Sequence, residues 1–447
     1  MAGNLKLKNI GTLFFCPEVT QGTANYDNTT TALGTSTTAI VAGLGGSDDM
    51  FIGLQMYFYS GANAGRLVTI TDYVSSTGTF TFTPADGGSA LSAVASGEKF
   101  TLGSILPNAV PTVNGTTKSL TREWESDTLD KPSDLVGLSE STVSAEVHIG
   151  GLESSAGDGI DAPVDRFTRF LEMIGEVDSG TGTKIASNWS SATSGSVSSI
   201  AGLSVNSPIM VNNEVAIIDT ISGTTITVHP AFSSNPQAND VVYAGQTFTP
   251  DDTGHLSCTF CHVRDDQLFI ATGVVGNFKT SGAFNDLFKF TFDGQGDGWD
   301  VEDSYSDIDG IQSSVKPIAL ISARVHFGDT TLWCNSMDFD FGHGIENLED
   351  CNAGVQKLIT TRASVASVTF RNANKTALTT WNKEKTKGTL VIQAGGSPAD
   401  CVVLYGDVQI VSVEDADYGG VRGYKASLKF YDDRQSLTAS KPRLARL

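Results

Sequence analysis

The sequence predicts an all-β protein with two short helices. Short β-branched and aromatic runs, such as "TFTFTPA" (79–85) and "KASLKFYDD" (425–433), are separated by clusters of Gly, Asn, Asp and Ser. Strands punctuated by turns have this texture. Gly is abundant, at 47 of 447 residues, and charged residues are only 18%, which suits a turn-rich β protein. The same succession of elements also occurs twice, and repeats of this kind define the organisation of a chain.

The first element pair lies in "GHLSCTFCHVRDDQLFIATGVVGNFK" (254–279), which aligns without a gap to "GTLVIQAGGSPADCVVLYGDVQIVSV" (388–413). Each copy reads as an apolar strand, a polar turn ending in Asp266 or Asp400, and a second apolar strand. A terminal strand follows, "LFKFTFDG" or "KASLKFYDD". Upstream, "STVSAEVHIGG" (141–151) alternates as a strand and leads to "APVDRFTRFLEMIGEV" (162–177), a helix by its stripe of Val164, Phe167, Leu171 and Ile174. Asp161 is its expected cap and Pro163 suits its first turn. In the second copy "RASVASVTFRN" (362–372) leads to a helix in "ANKTALTTWNKEK" (373–385), capped by Asn372.

Two further segments, about 34–104 and 184–250, resemble one another. "VTITD" (68–72) matches "VAIID" (215–219), and "TFTFTPA" matches "TITVHPA" (225–231). They read as small β-domains inserted into loops, which tolerate additions because closure entropy grows slowly with length. The second copy has only short turns at the corresponding points, so the barrel is not expected to depend on them. The segment 293–315 reads as an acidic linker, and "GIENLEDCNAG" (344–354) as a mobile loop.

The chemistry that composition permits is narrow. A net charge of −21 argues against a surface that grips phosphates. The start, "MAGNLKLKNIGTLFF", has no apolar run after its lysines, so no signal peptide is expected, and no apolar run reaches membrane-spanning length. Cysteines 16, 258, 261, 334, 351 and 401 are therefore expected as free thiols. "CTFCH" (258–262) has the spacing of a haem attachment site, but its aligned counterpart is "IQAGG" (392–396), so the repeat does not need it. Asp293, Gln295, Asp297 and Gly298 begin like a calcium loop, but the twelfth position is Ser304 rather than Glu. The histidines (148, 229, 255, 262, 326, 343) form no H-x-x-x-H pair, and no nucleophile elbow or P-loop is present. "SGANAGR" (60–66) is Gly-rich but lies in an expected hairpin. No catalytic, cofactor or metal site is predicted.

A duplicated β-module with one helix, a long loop before its second strand and inserted β-domains resembles the tail tube (major tail) proteins of long non-contractile tailed bacteriophages. The likeness rests on "REWESDTLDKPSDLVGLSESTVSAEVHIGG", its following helix and the final strand pairs of both copies. The resemblance implies β-sandwich modules that join into a β-barrel shared between chains, in homotrimeric rings that stack into a tube for DNA ejection. It implies a virion location after assembly in the host bacterial cytoplasm, and tape measure, tail-tip and tail-terminator proteins as partners. No membrane or cofactor is implied. On this reading residues 1–33, 105–183 and 251–292 form the first module, 34–104 and 184–250 the inserted domains, 293–315 the linker and 316–447 the second module. Glu123 and Glu125, flanking Trp124, and Asp338 and Asp340, flanking Phe339, stand at matching places before the long loop. Alternation puts each aromatic inward and the acids outward, where they are expected to line the lumen. The alternative is a surface or secreted β adhesin that binds carbohydrate, with a glycoside hydrolase third.

Overall fold

Alternating apolar and polar residues lay most of this chain out as strands. The structure is a computed structural model describing residues 12–85, 90–106, 111–120, 135–152, 165–251, 256–264, 267–303, 318–320, 323–350, 354–371, 375–431 and 441–447. It is all-β with two short helices. The chain opens with β1 (Thr12–Pro17), β2 (Asp27–Thr29), β3 (Thr38–Ile40), β4 (Gln55–Phe58), β5 (Arg66–Val74), β6 (Thr79–Pro84) and β7 (Lys99–Ile105). Then come β8 (Thr112–Leu120), β9 (Leu135–Val147), α1 (Arg166–Leu171) and β10 (Gly175–Ser179). The next six are β11 (Thr183–Lys184), β12 (Ser194–Ser196), β13 (Pro208–Val211), β14 (Glu214–Ser222), β15 (Thr225–His229) and β16 (Val241–Ala244). They lead to β17 (Gln246–Pro250), β18 (Cys258–Arg264), β19 (Gln267–Ala283), β20 (Phe290–Gly296) and β21 (Gly298–Asp303). The rest comprises β22 (Arg324–Phe327), β23 (Thr330–Leu332), β24 (Cys334–Asp340), β25 (His343–Asp350), β26 (Gly354–Arg362) and β27 (Val365–Phe370). It ends with α2 (Lys375–Glu384), β28 (Lys387–Ser397), β29 (Asp400–Tyr418), β30 (Val421–Phe430) and β31 (Arg443–Arg446).

One order of strand pairing occurs twice. First, β1–β18–β19–β21 form one sheet and β19–β20–β9–β8 another, sharing the long strand β19. Then β22–β28–β29–β31 and β29–β30–β27–β24 follow the same order around β29. An aromatic from each helix packs into the corresponding set of strands. Phe170 of α1 meets Phe15, Phe260, Phe278 and Phe292, and Trp381 of α2 meets Phe327 and Phe370.

The two segments that resemble one another also share a topology. Their sheets, the first completed by β2 from before residue 34, run β2–β7–β4–β5–β6–β3 and β11–β16–β13–β14–β15–β12. Numbered within each segment, both orders are 1-6-3-4-5-2. Both also shift register in the same strand pair, between Ile70 and Asp72 and between Ile218 and Thr220. This shared bulge matches Ile70 to Ile218, one residue beyond the match that the sequence alone gives. The second segment has its own core, including Trp189, Ile209 and Ile218.

Several expectations need correction. Residues 293–303 are not linker: 293–296 complete β20, and 298–303 form β21, whose Trp299 stands opposite Ala271 of β19. Residues 304–315 lie outside the described residues. The segment 344–354 is largely a hairpin, β25 with β26, whose acidic residues disguise its strands. Helix α1 starts at Arg166, capped by Asp165 rather than Asp161, and residues 175–177 belong to β10. Asp161, Pro163, Val164 and Asn372 lie outside the described residues. The ungapped alignment also slips. It equates Cys261 with Gly395 and Ile270 with Leu404, yet Cys261 faces Ile270 while Leu404 faces Ile392. Met210, Val215 and Ile217 of the segment 184–250 pack on Val391, Val403, Tyr405 and Leu447. Removing 184–250 would expose that apolar surface.

The chain terminus is locked by one buried ion pair. Arg446 is fully buried and donates to both carboxylate oxygens of Asp165, at 2.6 and 2.7 Å, and to the carbonyls of Gly150 and Gly151. Burial alone would raise the Asp165 carboxyl, but the charge and bonds of Arg446 outweigh it and hold the group below its ordinary range. The same Asp165 caps α1 through the Thr168 N–H, so β31, α1 and residues 150–151 are tied at one point. Arg446→Met leaves the Asp165 charge buried without its partner and should cost about 3–5 kcal/mol in denaturant unfolding. A loss below about 1 kcal/mol would contradict this account of the terminus.

Candidate functional site

An edge strand presents unpaired N–H and C=O groups that invite another strand. Here the two sets of strands meet by such an edge. The second half of β19 pairs with β24, placing Lys279 opposite Asp340, Thr280 opposite Phe339 and Ser281 opposite Asp338. The junction makes β8–β9–β20–β19–β24–β27–β30–β29 one antiparallel sheet of eight strands.

Its ends are the counterparts of its middle. The cross-strand row Gly276, Gly294, Val143, Val113 answers to the row Ile410, Leu428, Ala366, Phe339. Thus β29 corresponds to β19, and β8 to β24. Among the described residues β8 pairs only with β9, and residues 412–418 of β29 pair only with β30. Each end offers the half of a junction that the middle has already made.

The face of this sheet turned away from the core carries charge of both signs. Asp338 is exposed and Asp340 half-buried, with Phe339 buried between them, the alternation expected from sequence. Asp338 accepts from the Ser367 hydroxyl at 2.7 Å. Asp340 accepts from the Asn277 amide at 2.8 Å and the Gly342 N–H at 2.7 Å, so it also holds the turn into β25. Glu123 and Glu125 lie outside the described residues. In the order of strand pairing, Thr112 and Asn114 of β8 stand where Asp338 and Asp340 stand in β24. Sequence reasoning also missed the lysines on this face. Lys289 pairs with Glu146 at 2.8 Å, Lys279 with Asp293 at 3.5 Å, and Lys425 stands opposite Glu414. Their alternation with inward residues of β19, β20 and β30 was the signal available.

Cys258 and Cys261 are fully buried in the core, and burial pushes both thiols well above the ordinary range. Among the described residues, no group of three or more His, Cys, Asp or Glu is placed to hold a metal ion. No helix among them is long and apolar enough to cross a membrane. Comparison with family models gives no match, and no curated protein matches the sequence.

A pair of acids braces the sheet where β20 turns into β21. Buried Glu18 accepts from the N–H groups of Gly22 and Gly273 and the hydroxyls of Ser257 and Thr259. Half-buried Asp297 sits against the same two glycines. Burial, then the charge of Glu18, raises the Asp297 carboxyl from 3.8 to about 6. The folded protein therefore holds this proton more tightly than the unfolded chain does. Its contribution to stability is complete below pH 3.8 and is lost as pH rises through about 6. Asp297→Asn, which is neutral throughout, should gain stability relative to the parent across that window and keep the gain above it. Melting temperatures of both proteins from pH 3.5 to 7.5 test this; a variant less stable at neutral pH would contradict it.

Proposed function

We propose that the chain is the tail tube subunit of a long non-contractile tailed bacteriophage, acting as a wall element of the conduit for DNA. The observation that carries this reading is the β19–β24 junction, a head-to-tail contact between two like halves whose complementary edges stay open on β8 and β29. A heterologous contact of this kind closes into a ring when its rotation allows. Pairing β29 of one chain with β8 of the next repeats the internal junction, with Glu414 opposite Asn114. Three chains of eight strands then give a barrel of twenty-four (3 × 8). At ordinary strand spacing and tilt its backbone walls stand roughly 40–50 Å apart, wide enough to clear a DNA duplex.

In this arrangement the charged face of the eight-stranded sheet lines the lumen. Lys279 and Lys289 are engaged by Asp293 and Glu146, which leaves them poorly available to phosphates, while Asp338 repels them. The duplicated module, the two added β-domains, the stacking of rings and partners such as the tape measure, tail-tip and tail-terminator proteins belong to the same reading. So does a location in the virion tail.

Negative-stain imaging with mass measurement of the purified, assembled protein tests it. Rings of three chains, about 141 kDa from 3 × 47.1 kDa, with six-fold pseudo-symmetry are expected. Val413→Pro, which blocks the open edge of β29, should yield folded monomers. Rings of six chains, or rings undisturbed by Val413→Pro, would contradict the reading.

A further inference from the structure

At the rim of the sheet, where β19 ends against the start of β24, a cavity of about 340 Å3 opens to solvent. Its walls include Phe284, Trp333, Asn335, Ser336, Arg371 and Tyr418. Trp333 is 55% exposed and Phe284 58%, a large apolar area to leave in water. The Arg371 guanidinium lies 4.9 Å from the Trp333 ring centre and 5.5 Å from that of Tyr418, stacked against both. Among the described residues it has no carboxylate partner. The side chains of Asn335 and Ser336 likewise make no hydrogen bond among them.

Each feature constrains the ligand. A guanidinium held by two rings is a preorganised fork for a carboxylate, which it binds through two parallel N–H donations. An exposed indole face offers a flat apolar platform with a polar edge. An amide and a hydroxyl without internal partners can meet several ligand hydroxyls. The volume lies near the lower end for small-ligand sites, enough for one or two sugar rings. We propose that this pocket binds a carboxylated saccharide, its ring lying on Trp333 and its carboxylate on Arg371. An acidic peptide would satisfy the arginine but would leave the indole platform and the Asn335 and Ser336 groups without matched partners. The proposal does not depend on the tube reading.

Titration calorimetry of the full chain with glucuronic acid and N-acetylneuraminic acid, beside glucose and a short acidic peptide, tests it. At least one acidic sugar should bind saturably, and glucose about tenfold or more weaker, the cost of losing a bidentate charge-assisted pair. Arg371→Met and Trp333→Ala should each abolish binding, while Arg371→Lys, which keeps the charge without the fork, should weaken it about tenfold. Both side chains are exposed, so unchanged melting temperatures should show that the variants fold. Failure of both acidic sugars to bind, binding that survives Arg371→Met, or a preference for the acidic peptide would each overturn the proposal.

Discussion

The larger part of this structure depends on one constraint: a single strand must serve two sheets. The first half of β19 lies between β18 and β21, and its second half between β20 and β24. To pass from one sheet to the other the strand turns at Gly273, whose φ of +65° favours glycine. A side chain there would also strike Asp297, its Cβ lying 2.0 Å from a carboxylate oxygen. The turn therefore sets the angle between the sheets, the seat of the acid pair and the position at which β24 can join. In the second half of the chain β29 does the same, but the edge equivalent to the one that β24 fills is open.

This asymmetry links packing to function. Barrels remove sheet edges, whereas an eight-stranded open sheet keeps two. On one side of this sheet the core is dense with phenylalanine. On the other side, lysines and carboxylates alternate in rows that cross from one half of the chain to the other. Glu146, Thr291, Lys279, Asp340, Val365 and Lys429 stand side by side in one such row. A surface of balanced pairs of this kind is wettable without gripping an anion, as the proposed role in a conduit wall requires.

Much of the architecture was legible in the sequence, because period-two alternation and a recurring order of elements can be read even where identity is low. The paired strands in 254–279 and 388–413, the buried Phe339 between outward acids and the likeness of the two small sheets all follow from that pattern. Other features were hidden for identifiable reasons. The acidic residues of β21 and β25 read as solvated loop, although hydrogen bonding to a neighbour, rather than apolarity, makes them strands. The stripe of Phe167, Leu171 and Ile174 marked helix α1, but its cap was placed four residues early; Asp165, which caps it with Thr168, is also held by Arg446 from far along the chain, a contact that no local signal encodes. The register slip comes partly from a turn that falls one residue earlier, with Ser397 facing Asp400, and partly from a bulge between Ala394 and Ser397, and alignment without gaps accommodates neither. Of the candidate lumen residues, Asp338 and Asp340 point away from the core, as alternation predicts, while Glu123 and Glu125 lie outside the described residues.

The central claim is that the open edge of β29 meets β8 of another chain in the register of the internal junction. Cysteines introduced by Asn114→Cys and Glu414→Cys, in one chain and in the assembled protein, would be joined by a short thiol cross-linker. The account predicts covalent closed trimers under denaturing conditions, and no cross-link when either cysteine is present alone. Assembled protein that yields no cross-link, or a link formed only within one chain, would contradict it.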